Sequence, residues 1–174
     1  MKQEVVRPTD AFVLIYLTVG EVARRTYAEM AAETALAVSA VHASVGRLRE
    51  AGLLDRIDAA TVVRRSATIE FLVRGARYCY PPMTLSDRRG VVTGLHALEH
   101  VGELSRGDSR VHVWPDPSGD AIGIGLLPLS KAVPAAVSGR TSLHETLALF
   151  DLLRTGAARE RSFATDELHA RLDG

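Results

Sequence analysis

The sequence predicts a mainly α, α+β protein with a helix-turn-helix at its amino-terminal end and a small β-hairpin plus amphipathic helices after it. Three observations carry this reading. Residues 26–54 hold two closely joined helical patterns, residues 110–127 alternate on either side of a cluster of turn formers, and residues beyond 141 show long apolar stripes at helical spacing. The division falls at 77/78, giving a helix-turn-helix domain over 1–77 and a region over 78–174 for dimerisation, partner or effector binding.

Residues 1–8 are polar and end in Arg7-Pro8, after which Thr9 or Asp10 supplies an N-cap for a helix from Ala11 to about Thr18. Phe12, Leu14, Ile15, Tyr16 and Leu17 make this helix apolar nearly all round, which places it in the core or at an interface. Gly20 ends it, and Glu21 to Arg25 leads on to Thr26, whose Glu29 partner three residues later forms a capping box. A short alanine-rich helix follows, ending near Ala35.

Ser39 offers a fresh N-cap, and Val41, Val45 and Leu48 recur at intervals of four and three, the spacing of one buried stripe. Ala40, His42, Ala43, Ser44 and Arg47 occupy the other side, and Gly52 closes the helix as a C′ residue able to take positive φ. Two helices joined by so short a turn form a helix-turn-helix, whose second helix enters the DNA major groove.

The run from Ser39-Ala40-Val41-His42 through Leu48-Arg49-Glu50-Ala51-Gly52-Leu53 resembles the winged helix-turn-helix of bacterial transcriptional regulators, MarR-like and kin, in which the recognition helix ends in a Leu-x-x-x-Gly-Leu phrase. The resemblance covers residues 10–75. It implies a DNA-binding regulator, with a basic β-hairpin wing after Gly52-Leu53. The residues themselves read otherwise there: Asp55 to Ala60 is short and Asp-containing, and 59–75 fits a helix stopped by Gly75.

Under this reading Ser39, Ala40, His42 and Ala43 face base edges, Ser44 belongs to the same DNA-binding face, and Arg47 reaches a guanine or a phosphate. Arg24, Arg25 and Thr26 stand where phosphate contact is common, and Arg49, Arg64 and Arg65 belong to the main concentration of positive charge, with Arg56 beside them. Small side chains give modest specificity, so a homodimer reading two half-sites in double-stranded DNA is the natural completion. The alternative is a winged-helix module that binds a protein partner, as an antitoxin-like or adaptor component of a two-gene system with weak or autoregulatory DNA binding.

Arg77-Tyr78-Cys79-Tyr80 before Pro81-Pro82 reads as extended, and Met83 to Gly94 as a loop. Residues 110–127 read as a hairpin turning at Pro115 to Asp120, with Trp114 packed on the helices. Leu129 to Val137 is a short helix interrupted by Pro134. Thr141 or Ser142 caps a helix over Leu143 to Leu153, Gly156 ends it, and a last helix runs from Ala157 to Leu172.

The 174 residues can bury a core, and 47% hydrophobic content with a mean hydropathy of +0.06 is ordinary for a globular chain. No membrane-length apolar run occurs, and a cytoplasmic location is expected. Lys plus Arg and Asp plus Glu each total 21, so no global field favours nucleic acid; residues 1–77 carry 11 basic and 9 acidic side chains. The single cysteine, Cys79, excludes an intrachain disulfide and reads as a structural thiol.

His96-Ala97-Leu98-Glu99-His100 spells H-x-x-E-H, a pattern in which two histidines one helical turn apart bind zinc. Its glycine-bracketed segment is short, and no partner helix stands out among Glu145, Glu160 and Glu167, so surface histidines are the expectation. Gly123 and Gly125 lack the third glycine and following helix of a phosphate loop. No enzyme, cofactor or metal is predicted.

Overall fold

The computed structural model describes residues 5–20, 24–99, 101, 104 and 110–173. Helix α1 (Pro8–Thr18) starts three residues before the expected Ala11, with Pro8 in its first turn and the Asp10 carboxylate accepting the Arg7 backbone N–H at 2.8 Å. Its residues 10–17 are all buried, which makes it the hub of the core. Helix α2 (Tyr27–Thr34) has the predicted capping box: Thr26 Oγ1 accepts the Glu29 N–H and the Glu29 carboxylate accepts the Thr26 N–H at 2.7 Å. Those bonds from Thr26 hold the Glu29 carboxyl below its ordinary pKa.

Ala35 takes a left-handed conformation at the end of α2, and α3 (Val38–Glu50) begins one residue before the expected Ser39 cap. Its N-cap is Ala37, which has no oxygen to offer, so Ser39 sits inside the first turn. At the other end Gly52 (φ 74°) allows a Schellman motif, with Gly52 N–H on the Arg49 carbonyl and Leu53 N–H on that of Leu48. Val41, Val45 and Leu48 are fully buried as the stripe predicts, each contributing roughly 1.5–3 kcal/mol by burial.

Strands β1 (Leu54–Ile57) and β2 (Ala60–Val63) form an antiparallel hairpin in register Leu54↔Val63 to Ile57↔Ala60. This corrects the helical reading of residues 59–63. The two-residue turn, Asp58 and Ala59, has positive φ at both positions, as a type I′ hairpin requires. Helix α4 (Arg65–Glu70) then runs through a π-helical segment (Phe71–Ala76) into α5 (Arg77–Cys79). Gly75 is therefore no stop. Tyr80 before Pro81-Pro82 ends the run, Cys79 is exposed rather than structural, and the 77/78 division falls inside a helix.

The expected loop at 83–94 is mostly a ten-residue strand, β3 (Thr84–Thr93). Strands β4 (His112–Pro115) and β5 (Ala121–Leu126) lie within the predicted alternating run, but do not pair as a hairpin. Both are antiparallel to β3 and parallel to each other, so three strands close into a small barrel. Closure demands backbone contact that a side chain would block. A Cβ on Gly90 would stand 2.1 Å from the Trp114 carbonyl oxygen, and one on Gly119 would meet the Gly90 backbone at 2.1 Å.

Helix α6 (Val133–Val137) carries Pro134 in its first turn, where the missing N–H costs nothing, rather than as an interruption. Helices α7 (Thr141–Thr155) and α8 (Ala158–Asp173) agree closely with the predicted pair. Helix α1 packs on α3 and α7, α4 packs on α8, and one apolar cluster runs from Ala11 to Leu172. The two predicted regions thus share a core. Among the described residues no helix is long and apolar enough to cross a membrane.

Candidate nucleic-acid interface

Helix α3 is fixed against α1 by a buried carboxylate. Asp10 is fully buried; its Oδ1 accepts Ser44 Oγ at 2.6 Å and Arg47 Nη2 at 2.7 Å, and its Oδ2 accepts Arg47 Nε at 2.7 Å. Burial pushes the Asp10 pKa up, but the hydrogen bonds from Arg47, Ser44 and the Arg7 backbone outweigh it, and the carboxyl stays below its ordinary range. The carboxylate therefore remains charged and clamps the rotation of α3 about its axis.

This clamp corrects two of the expected DNA contacts. Ser44 is fully buried, and Arg47, with its side chain 15% exposed, is bound to Asp10 through two nitrogens, so neither stands on the outward face. The helix turns its polar side only partly to solvent because an acidic partner waits on α1. Arg49 is half-buried with its Nε enclosed and lacking a hydrogen-bond partner.

What remains outward is narrower and lies toward the start of α3. Val38, Ser39 and His42 are exposed, while Ala40 and Ala43 are half-exposed. His42 stands edge-on to Tyr27 of α2, ring centroids 5.0 Å apart, which orients the imidazole without burying it. The first turn of α3 carries no acidic residue and no side-chain cap, so its N–H groups and the positive end of its dipole are not neutralised by the helix's own side chains.

The other predicted cations are mostly engaged at home. Arg25 pairs with Glu33, which also accepts the Tyr16 hydroxyl at 2.8 Å; Thr26 is occupied by its capping box. Arg64 pairs with Asp55 at 3.3 Å, though both are about half exposed, and Arg65 donates to the Leu172 carbonyl at 2.5 Å. Arg24 is exposed. The hairpin that the resemblance implies, and that the helical reading of 59–75 displaced, presents Arg56 and Ile57 in solvent beside the Asp58-Ala59 turn. Among the described residues Arg56 has no ion-pair partner. Val38 was likewise missed, because Ser39 looked like the cap.

The H-x-x-E-H pattern does not lie on an α-helix. His96 is in a 3-10 turn (Gly94–Ala97), Leu98 is extended, and His100 lies outside the described residues. Among the described residues no group of three or more His, Cys, Asp or Glu is arranged to hold a metal ion.

A second buried carboxylate joins the barrel to α7. Asp151 accepts Trp114 Nε1 at 2.6 Å, Thr93 Oγ1 at 2.8 Å and Arg154 Nη2 at 2.6 Å, and Arg154 also donates to the Tyr80 carbonyl at 3.2 Å. Every group named here has a partner within the chain. The arrangement braces the barrel against α7.

No protein-family model, curated protein or solved structure matches this chain.

Proposed function

We propose that residues 8–63 form a winged helix-turn-helix and that the protein is a DNA-binding transcriptional regulator, acting as a homodimer in the cytoplasm. The observation that carries the reading is the clamped α3, whose exposed start (Val38, Ser39, His42) is followed after Gly52 by a hairpin offering Arg56. The helix tip enters a major groove, Ser39 and His42 offer hydrogen bonds to base edges, and Arg56 approaches a neighbouring phosphate or the minor groove. Arg24 and the half-exposed Arg64 add backbone contact.

The resemblance of Leu48 to Leu53 to the MarR-like phrase supports this independently of the geometry. A second reading, a winged-helix module that binds a protein partner, is favoured by one specific finding. Arg25, Arg47 and Arg64 are neutralised by Glu33, Asp10 and Asp55, which leaves little net field on a chain of zero formal charge.

Gel-shift titration on duplex from the protein's own upstream region, at several salt concentrations, separates the two. Arg56→Ala is expected to weaken binding on every sequence and to lower the salt slope by about 1. His42→Ala is expected to change sequence preference instead. If the protein binds no duplex at 50 mM salt, where nonspecific contacts are strongest, the protein-binding reading takes its place.

A further inference from the structure

Val38 is half exposed, at 50%, and among the described residues it is the one large apolar side chain of α3 that stands out in solvent. Its position is unusual for two reasons. It occupies the first residue of the helix, and a β-branched side chain there neither caps the free N–H groups nor joins the buried stripe of Val41, Val45 and Leu48. It lies beside Ser39 and one turn before His42, both exposed.

We infer that Val38 reads the C5-methyl group of a thymine, making it a specificity-determining residue that requires a T·A pair at the base facing the tip of α3. The inference rests on the DNA-binding reading above. Its chemistry is one of elimination. The major-groove edges of guanine, adenine and cytosine present hydrogen-bonding groups, and the thymine methyl is the one apolar group among them. A valine pressed against an N7, O6 or exocyclic amine would strip its water and return no bond. Against a methyl, both surfaces leave water together. Ser39 and His42 then supply hydrogen bonds to the neighbouring pairs, so one apolar and two polar contacts lie within a single helical turn and a half.

The test uses the full chain and duplexes selected by it from a randomised library. In the selected duplex each thymine is replaced singly by deoxyuridine, which removes the methyl group and leaves every hydrogen-bonding group in place. One thymine per half-site is expected to show about four-fold weaker binding when replaced, the burial energy of one methyl group. The Val38→Ala protein is expected to bind the thymine and deoxyuridine duplexes alike at that position, with an unchanged unfolding midpoint because the side chain is exposed. A selected duplex in which no replacement weakens binding, or in which the loss persists in Val38→Ala, overturns the inference and leaves the DNA-binding reading standing. A library from which the chain enriches nothing overturns both.

Discussion

Replacing Asp10 with alanine is expected to cost about 3–5 kcal/mol, the usual penalty for removing one partner of a buried ion pair. The Arg47 side chain is only 15% exposed, and both of its bonds to Asp10 are 2.7 Å long. Without the carboxylate its charge stays enclosed, Ser44 loses its acceptor and the first turn of α1 loses the bond to the Arg7 N–H. Domains are commonly stable by 5–15 kcal/mol in total, so the loss is a large share. Chemical denaturation reads it as a lower midpoint at unchanged slope. Asp10→Ala combined with Arg47→Met removes both charges, and is expected to be less destabilised than Asp10→Ala alone. A single-variant cost under about 1 kcal/mol would mean that α3 is held by its apolar stripe and not by the clamp.

The same carboxylate sets an acid limit. Its folded pKa is depressed, so its stabilisation is present above the unfolded value, about 3.9, and is lost as pH falls through the folded one. Stability measured from pH 6 to pH 3 is therefore expected to fall more steeply below about pH 4 in the native protein than in Asp10→Asn, which has no proton to gain there. Parallel curves for the two proteins would remove Asp10 from the account.

The second large effect is expected at Asp151, where alanine leaves three donors without their acceptor. Trp114 Nε1, Thr93 Oγ1 and the Arg154 guanidinium all converge on this carboxylate, and the Asp151 and Arg154 side chains are each 3% exposed. Arg154 keeps its bond to the Tyr80 carbonyl, yet its charge is unbalanced. A loss of about 3–5 kcal/mol follows from the broken pair, with the orphaned indole N–H and hydroxyl adding to it. Trp114 is the single tryptophan, so its fluorescence reports on this brace alone. Asp151→Ala is expected to shift the emission, and Trp114→Phe to make the Asp151→Ala loss smaller than it is in the native background. Unchanged emission with native stability would show that the barrel and α7 are joined by apolar contact only.

Both carboxylates explain how far the sequence could be read. The local devices were legible because each depends on residues within one or two turns of each other: the Thr26–Glu29 box, the Val41, Val45 and Leu48 stripe, Gly52 at the helix end, and the α7 and α8 stripes. The hairpin after α3 was hidden by its turn. Alanine at a positive-φ position replaces the glycine that normally announces a type I′ turn, so residues 59–63 passed for helix. Strand β3 was hidden because its many exposed polar residues show no sustained alternation, and its partners lie some tens of residues further along. Pairing β4 and β5 as a hairpin failed for the same reason, since β3 already occupies the antiparallel edge of both.

By itself the sequence determined the positions of α1, α2, α3, α7 and α8, where several of them start and stop, and which face of residues 38–50 goes inward. Tertiary structure decided which polar residues remain available. Arg47 points to solvent on any local reading, and only the folding of α1 across α3 brings Asp10, 37 positions earlier, within 2.7 Å of it. A buried charge recruits its counter-charge wherever the chain supplies one, because leaving it unpaired costs more than any surface contact returns. Such a partner is chosen by distance in space, and distance along the chain does not record it.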